Sequence, residues 1–411
     1  MRLTMCVIAG VTLGLSGQAF AQAGCGVEAG SVRILSNDFP ALAAVEAAAA
    51  ECASDALTIT ANATTEHKSL QVPALTANPA EYTVAIVANG SIVPLLNQGL
   101  VRPLNDLVEK YGSQLDPQQL ITIDGQVMAI AFMANAQHLY YRADILEQAG
   151  VEPPKSYADV LTAAQAIKDA GLSETQWAAT FGAGYDLGQE FVNMYLGMGG
   201  SLFEAGSANA SVNNETGIAA LEMLKSLTPY MNQDYLSVDA NVVQADWEAG
   251  KTAMMVLWGS RAAGILDDQG AAPGVVENTR LAAAPTAGGA IPATTLFWDG
   301  FTIAKNVSDE DAEASFRVMM HALSPEMANA NAKAATWLIP GAEATEASVG
   351  TNESANAGAV AYPMVPQMSL LHTALGNELP QFFQGSESAE QALADAQAAY
   401  EASARQSGFL Q

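Results

Sequence analysis

The side chains that usually perform chemistry are few and widely spaced in this sequence. The four histidines (His67, His138, His321 and His372) include no His-Glu-x-x-His pair, and no Cys-x-x-Cys spacing occurs, so no zinc site is predicted. The Gly-x-Ser-x-Gly turn of serine hydrolases and the Gly-x-x-x-x-Gly-Lys phosphate loop are both missing from the sequence. Among 43 carboxylates, acidic pairs do not by themselves indicate a glycosidase. The sequence therefore predicts no catalytic residue, no metal and no cofactor.

The composition limits the class of partner. Lysine and arginine total 16 and aspartate and glutamate total 43, so the formal net charge is −27 over 411 residues. Phosphate backbones repel such a chain, so nucleic acid is not an expected partner. Half of the residues are hydrophobic, which is enough apolar material for a core. The length suggests two or three domains, or one large two-lobed unit.

The first 21 residues have the pattern of a cleaved signal peptide. Arg2 supplies positive charge, residues 5–15 form a short apolar run, and Ala19-Phe20-Ala21 fits the small-x-small cleavage rule. This pattern predicts export to the periplasm. Cys25 and Cys52 lie beyond the cleavage site, and in an exported protein we expect them to form a disulfide; two unpaired thiols are the alternative.

The elements that would position a site alternate between strand and helix. Residues 32–35, 57–60 and the apolar run 83–87 have strand patterns, and residues 40–53 have a helical one. Capping signals predict further helices after Ser156, Ser308 and Ser388, whereas the small, polar stretch 341–361 predicts a loop. The alternation predicts an α/β fold with mainly parallel sheets, whose ligands bind beyond the carboxyl ends of the strands.

Several segments, in order, resemble the extracellular solute-binding proteins of sugar ABC importers, the maltose-binding-protein-like family. The resemblance rests on Asp124-Gly125-Gln126 followed by residues 139–154, on residues 156–160, 193–203 and 297–305, and on Glu248-Ala249-Gly250-Lys251-Thr252-Ala253-Met254-Met255. Each motif alone is weak, but five in the family's order and spacing are specific. Arg261 stands where the family usually has tryptophan, so the identity of the ligand stays open.

The resemblance implies a type II periplasmic binding protein, in which two α/β lobes are hinged by crossing segments and close over a ligand. On this basis we expect an N-terminal lobe of residues 24–131 plus 300–323. We expect a C-terminal lobe of residues 132–299 plus 324–411. Lobes that share a small interface move relative to one another by default, so ligand contacts made only in the closed state would favour closure.

Some candidate ligand contacts follow the predicted strands. They are Asn37 and Asp38, Glu66 and His67, and Asn89 and Ser91, and the family places contacts after the first and third strands. Helix capping is the alternative for Asn37, Asp38, Asn89 and Ser91, and a solvated loop is the alternative for Glu66 and His67. Asn135 aligns without gaps with a family position that contacts sugar, and a turn asparagine is its alternative reading.

Other candidates combine aromatic rings with polar groups, which suits a ligand that offers both hydroxyls and apolar C–H faces. They are Tyr185 with Asp186, Trp258 with Arg261, Trp298 with Asp299, and Trp337. The alternative for Trp258 is a packed core tryptophan, and for Tyr185 and Asp186 a mobile loop. The resemblance places Trp298 and Asp299 where the chain crosses between the lobes.

The resemblance thus predicts a monomeric periplasmic binding protein that delivers a sugar, oligosaccharide or polyol to the permease subunits of an ABC importer. A charged solute, such as a polyamine or a glycerophosphodiester, is the alternative within this class, since Asp38, Asp186 and Asp299 suit the first and Arg261 the second. A secreted carbohydrate-active enzyme is the alternative from another class, and it would need two carboxylates across a scissile bond.

Overall fold

The computed structural model describes residues 24–64 and 66–411, so the predicted signal peptide lies outside the described residues. The strands within them are β1 (Gly30–Ser36), β2 (Leu57–Ala63), β3 (Val84–Ala88), β4 (Leu120–Ile123), β5 (Gln126–Asn135), β6 (Gln137–Arg142), β7 (Thr175–Ala178), β8 (Thr252–Trp258), β9 (Thr279–Ala282), β10 (Thr295–Ile303), β11 (Thr336–Trp337) and β12 (Val360–Ala361).

The α-helices of the same residues alternate with these strands over most of the chain. They are α1 (Pro40–Ala50), α2 (His67–Thr76), α3 (Ile92–Asn97), α4 (Asn105–Tyr111), α5 (Ala143–Ala149), α6 (Tyr157–Ala170), α7 (Tyr185–Gly197), α8 (Glu215–Leu227), α9 (Ala240–Glu248), α10 (Ala262–Ile265), α11 (Val275–Asn278), α12 (Asp309–Ala322), α13 (Pro325–Ala330), α14 (Val349–Asn356), α15 (Met368–Glu378), α16 (Pro380–Phe383) and α17 (Ala389–Gln406). None of them is both long and apolar enough to span a bilayer.

The strands form two mixed sheets. The larger has the order β11-β5-β10-β3-β1-β2, with β12 beside β10 and β4 beside β5, and the smaller has the order β7-β8-β6-β9. Parallel pairing joins β1 to β2 and β3, whereas β10 runs antiparallel to β3 and β5. The expectation of mainly parallel sheets holds only for part of each sheet. A tight turn at Asp124 and Gly125, both at positive φ, makes β4 and β5 an antiparallel hairpin.

Each sheet has its own hydrophobic core, and the separate cores give the fold its two lobes. The first core takes its buried side chains from residues 27–133 and 298–339, and the second from residues 139–293 and 362–404. The chain crosses between them in the segment joining β5 to β6, along β10, and between residues 339 and 362. Met327, Ala328 and Ile339 pack in the first core, so a lobe boundary later than residue 323 fits this packing better.

The predicted helix caps are present in the structure, whereas the predicted loop is only partly so. Ser156 and Asp159 form the expected reciprocal capping box at α6. Ser308 caps α12, but the Asp311 carboxylate accepts a hydrogen bond from the Ser31 N–H at 2.8 Å and so ties α12 to β1. The prediction of a loop over 341–361 is wrong in part, since this stretch contains α14 and β12.

The two cysteines beyond the predicted signal peptide lie together at the start of the first lobe. Cys25 and Cys52 are joined as a disulfide, with their Cα atoms 5.1 Å apart. The bond links the segment before β1 to the residues just after α1. A disulfide between these two cysteines in the cell stays a prediction.

Candidate functional site

A cavity of about 900 Å³ lies between the two lobes. Its first-lobe wall comes from the ends of β3 and β5 and from α2 and α3. Its second-lobe wall comes from α7, α9, the end of β8, and α15 with the loop leading into it. The residues that line it are Lys68, Ala88, Gly90, Ser91, Val93, Pro94, Asn97, Asn135, Tyr185, Ala240, Trp258, Ser260, Arg261, Phe297, Asp299, Tyr362, Pro363, Val365, Pro366, Met368, Ser369, His372, Thr373 and Phe409. A volume of this size suits a small-molecule ligand.

Aromatic rings in mutual contact form one wall of the cavity. Trp258 packs edge-on against Phe297 with ring centroids 5.3 Å apart, and Phe297 stacks on Tyr362 at 4.7 Å. Tyr185 stacks on His372 at 4.2 Å. The backbone carbonyl of Tyr185 can only accept, so His372 donates from Nε2 to it at 2.8 Å, and Nδ1 accepts the Tyr362 hydroxyl at 2.8 Å. This pairing fixes one neutral tautomer of His372, whose pKa is lowered by burial.

Hydrogen-bonding side chains beside these rings come from the end of β5 and from the residues that follow β8. The Asn135 side-chain oxygen accepts a hydrogen bond from the Ser260 N–H at 3.0 Å, and the Asn135 side-chain nitrogen donates one to the Ser260 hydroxyl at 3.3 Å. Arg261 donates to the side-chain oxygens of Gln244 and Asn241, both at 2.9 Å. Because both of these partners are neutral, the guanidinium is held in place without being directly neutralised.

Asp299 brings a carboxyl group into the cavity from β10. Burial raises its pKa to about 7, and the nearby Lys68 ammonium opposes that shift by favouring the charged form. Side chains alternate along a strand, so Phe297 and Asp299 both line the cavity while Trp298 between them packs in the first core. The carboxyl can therefore accept hydrogen bonds from ligand hydroxyls in its charged form and donate one in its neutral form.

A buried polar network inside the second lobe connects the crossing segments to α7, whose first residue is Tyr185. The Glu190 carboxyl accepts from Gln137 at 2.9 Å and from Thr180 at 2.8 Å, and burial raises its pKa to about 7. Thr295 of β10 donates to Asn193 at 2.8 Å, and Asn193 donates to Gln137 at 2.5 Å. Because every one of these side chains is buried, the network fixes α7 relative to both crossings.

The structure brings six of the fourteen predicted contacts together in the cavity. These are Ser91, Asn135, Tyr185, Trp258, Arg261 and Asp299. Asp186 lies at the start of α7, where partial burial raises its pKa, but it does not line the cavity. Asn89 is fully buried behind the cavity wall and bonds to backbone.

The remaining predicted contacts lie outside the cavity lining. The Asn37 side chain accepts from the Asp38 N–H, and Asp38 and Glu66 are exposed. His67 is buried at the first turn of α2, and Trp298 is 7% exposed in the first core. The Trp337 indole donates to the Asn331 carbonyl at 3.0 Å.

Sequence reasoning missed several lining residues that stand next to predicted ones. Lys68 follows His67, Ser260 precedes Arg261, and Phe297 precedes Trp298. Tyr362 and His372 carried no signal, because Tyr362 comes directly after a stretch that resembled a loop and His372 lies in a helix with no motif. Only the tertiary fold brings these two residues to the cavity.

A sequence profile of the bacterial extracellular solute-binding proteins matches residues 59–366, which is most of the chain. This chain belongs to that family. Members of the family are extracellular solute-binding proteins.

Solved structures with the same fold cover nearly the whole chain. Maltose-bound MalE3 of T. maritima is 16% identical with a TM-score of 0.74, covering 91% of this chain and 99% of that one. A solute-binding protein of Agrobacterium radiobacter K84 in complex with ribitol is 20% identical with a TM-score of 0.73, covering 90% and 97%. These likenesses confirm the two-lobed periplasmic binding protein fold.

Curated relatives match over shorter stretches. The sn-glycerol-3-phosphate-binding periplasmic protein UgpB of Brucella abortus is 28% identical over 103 residues, which are 22% of this chain and 24% of that protein. A probable ABC transporter-binding protein of Deinococcus radiodurans is 28% identical over 195 residues, covering 45% and 44%. The matched part therefore spans less than half of these relatives' length, 24% in the first and 44% in the second.

Proposed function

We propose that this chain is the periplasmic substrate-binding component of an ABC importer, and that it captures a sugar, oligosaccharide or polyol between its lobes. The observation that carries the proposal is the cavity wall of contacting rings, Trp258, Phe297 and Tyr362, beside the polar groups of Asn135 and Asp299. Ring faces suit the C–H surfaces of a sugar, and the polar groups suit its hydroxyls.

The mechanism that follows is reversible capture without covalent chemistry. In the open state the ligand contacts one lobe, and groups on the other lobe complete its hydrogen bonds only when the lobes close. Buried hydroxyls need partners, so the polar groups decide which ligand is accepted. The closed form would then dock, as a monomer, on the membrane permease and release its ligand there.

Titration calorimetry of the purified protein against maltose, ribitol, D-mannitol and related sugars, with product analysis by chromatography, tests the proposal. We expect saturable binding at one site by at least one neutral sugar or polyol, with the ligand recovered unchanged. Conversion of the ligand over time would instead favour a carbohydrate-active enzyme. Failure of every neutral compound to bind would overturn the proposal.

A phosphorylated polyol is the second candidate, because two cationic side chains line the cavity in a chain that has few of them. Lys68 comes from the first lobe and Arg261 from the second, and neither is among the ion pairs of the described residues. The short match to sn-glycerol-3-phosphate-binding relatives agrees with this candidate. Titration with sn-glycerol 3-phosphate at low and high salt distinguishes the two, since only an anion should lose affinity as salt rises.

A further inference from the structure

Asn89 follows β3 and is fully buried. Its amide nitrogen donates to the backbone carbonyls of Tyr362 at 3.2 Å and Leu296 at 3.4 Å, and its side-chain oxygen accepts from the Trp298 N–H at 2.9 Å. One side chain thus bonds to two separate crossing segments. The amide group of asparagine supplies two N–H donors and one carbonyl acceptor at the end of a short side chain.

The three backbone groups that Asn89 contacts belong to the segments that carry two cavity rings. Phe297 lies between Leu296 and Trp298 on β10, and Tyr362 follows β12, which pairs with β10. The Tyr362 N–H also donates to the Leu296 carbonyl at 2.9 Å. β3 pairs with β10 through Ala88 and Asp299. Asn89 is the next residue after Ala88, so its hydrogen bonds connect the first-lobe sheet to the backbone that carries Phe297 and Tyr362.

We infer that Asn89 is a positioning residue for the ligand site: from the first lobe, and without lining the cavity, it holds the stacked rings of Phe297 and Tyr362 in place. Its effect on affinity rests on the proposed function, whereas its effect on the rings does not. Replacement of the amide by a carboxylate would set an oxygen against two carbonyl oxygens, and the backbone at both rings would move.

Fluorine NMR of protein labelled with 5-fluorotryptophan tests the inference without any ligand. Trp258 contacts Phe297, so we expect Asn89→Asp to shift the Trp258 resonance, which is assigned by its loss in Trp258→Phe. Gln119→Glu is the matched control, because Gln119 is equally buried and donates to the Ala131 carbonyl away from the rings. If the Trp258 signal is the same in Asn89→Asp as in wild type, the inference is wrong.

A double-mutant cycle separates positioning from a general loss of stability. In the wild-type background we expect Asn89→Asp to weaken maltose binding by about tenfold. In a Phe297→Ala, Tyr362→Ala background we expect the same change to cost less than twofold, because the rings it positions are gone. An equal loss in both backgrounds would refute the ring-mediated role. If maltose does not bind, the cycle uses another sugar or polyol that does. If none of them binds, the proposed ligand class fails, while the fluorine result still decides this inference.

Where Asn89→Asp does not fold, Asn89→Ser supplies the second variant. A serine keeps one donor and one acceptor but is too short to bridge both crossings, so a smaller shift of the same Trp258 signal is expected. A folded Asn89→Ser protein with a wild-type Trp258 signal would count against the inference as firmly as the first variant.

Discussion

At the scale of single residues, the rings of the aromatic wall are the groups in the cavity that suit the C–H faces of a neutral ligand. Trp258 is partly exposed at the end of β8, where its ring borders the cavity. We expect Trp258→Ala to weaken binding of the best sugar or polyol ligand by about 1–2 kcal/mol, roughly five- to thirtyfold in affinity, because apolar contact with the ring is lost. Calorimetry measures the change, and Tyr230→Ala, which removes a ring outside the cavity, should bind as wild type does.

Asp299 gives the molecule a pH dependence whose sign follows from its burial. Burial raises its pKa to about 7, well above the ordinary value for an aspartate, so the folded state binds this proton more tightly than the unfolded chain does. Its contribution to stability is therefore complete below about pH 4 and declines as the pH rises to about 7. Compared with wild type, Asp299→Asn should gain more stability at pH 8 than at pH 4.

Urea unfolding at the two pH values measures that difference. Glu190, whose pKa burial also raises to about 7, is still present in Asp299→Asn, so the variant should retain part of the wild-type pH dependence. An equal effect of Asp299→Asn at pH 4 and pH 8 would show that the carboxyl titrates alike in the folded and unfolded states.

The candidate contacts show how far residue types alone could predict the site. Trp298 and Asp299 were both expected in the cleft, but neighbours on a strand face opposite sides, and it is Phe297 that joins Asp299 there. At the start of α2, His67 is buried, whereas the next residue, Lys68, lines the cavity. Composition indicated the right stretch of chain, whereas the choice between adjacent side chains depended on the orientation of each element.

At the scale of elements, α14 packs closely against the buried ring of His138. His138 is fully buried and stacks on Tyr140 at 4.4 Å, and burial lowers its pKa to about 4. A Cβ atom at Gly350 would overlap this ring, so Gly350→Ala should destabilise the protein by about 1–3 kcal/mol.

Urea unfolding near neutral pH checks this prediction, with Gly90→Ala as the matched control, because a Cβ at Gly90 meets nothing within 4 Å. The control should stay within about 0.5 kcal/mol of wild type. Equal stability of the two variants would mean that α14 shifts away from His138 at little cost.

The same helix shows why some elements could not be predicted. The apolar strands and the capped helices carry local signals, so β3 and α6 fall where the sequence placed them. The residues of α14 are small and polar, and this helix forms because Gly350, Thr351 and Ser354 are buried against the second lobe. Its stability comes from tertiary contacts that no local pattern encodes.

At the scale of the whole molecule, the two-lobed architecture followed from the resemblance of several spaced motifs, but the assignment of crossing segments did not. The first core recruits Met327 and Ile339, which come after β10 has already returned from the second lobe. When a chain passes between two lobes more than once, its amino-acid composition does not show where it does so. The sequence order of the elements therefore says little about which lobe a late helix joins.

Separate cores joined by crossing segments predict that ligand binding changes the shape of the molecule. A compact chain of this length would have a radius of gyration of about 22 Å, and two lobes held apart should exceed it. We expect small-angle X-ray scattering to show a lower radius with saturating ligand than without, because contacts to both lobes favour the closed state. A sugar that calorimetry shows not to bind is the control. If binding is measured but the radius is unchanged, the cavity is preformed and the lobes do not close on their ligand.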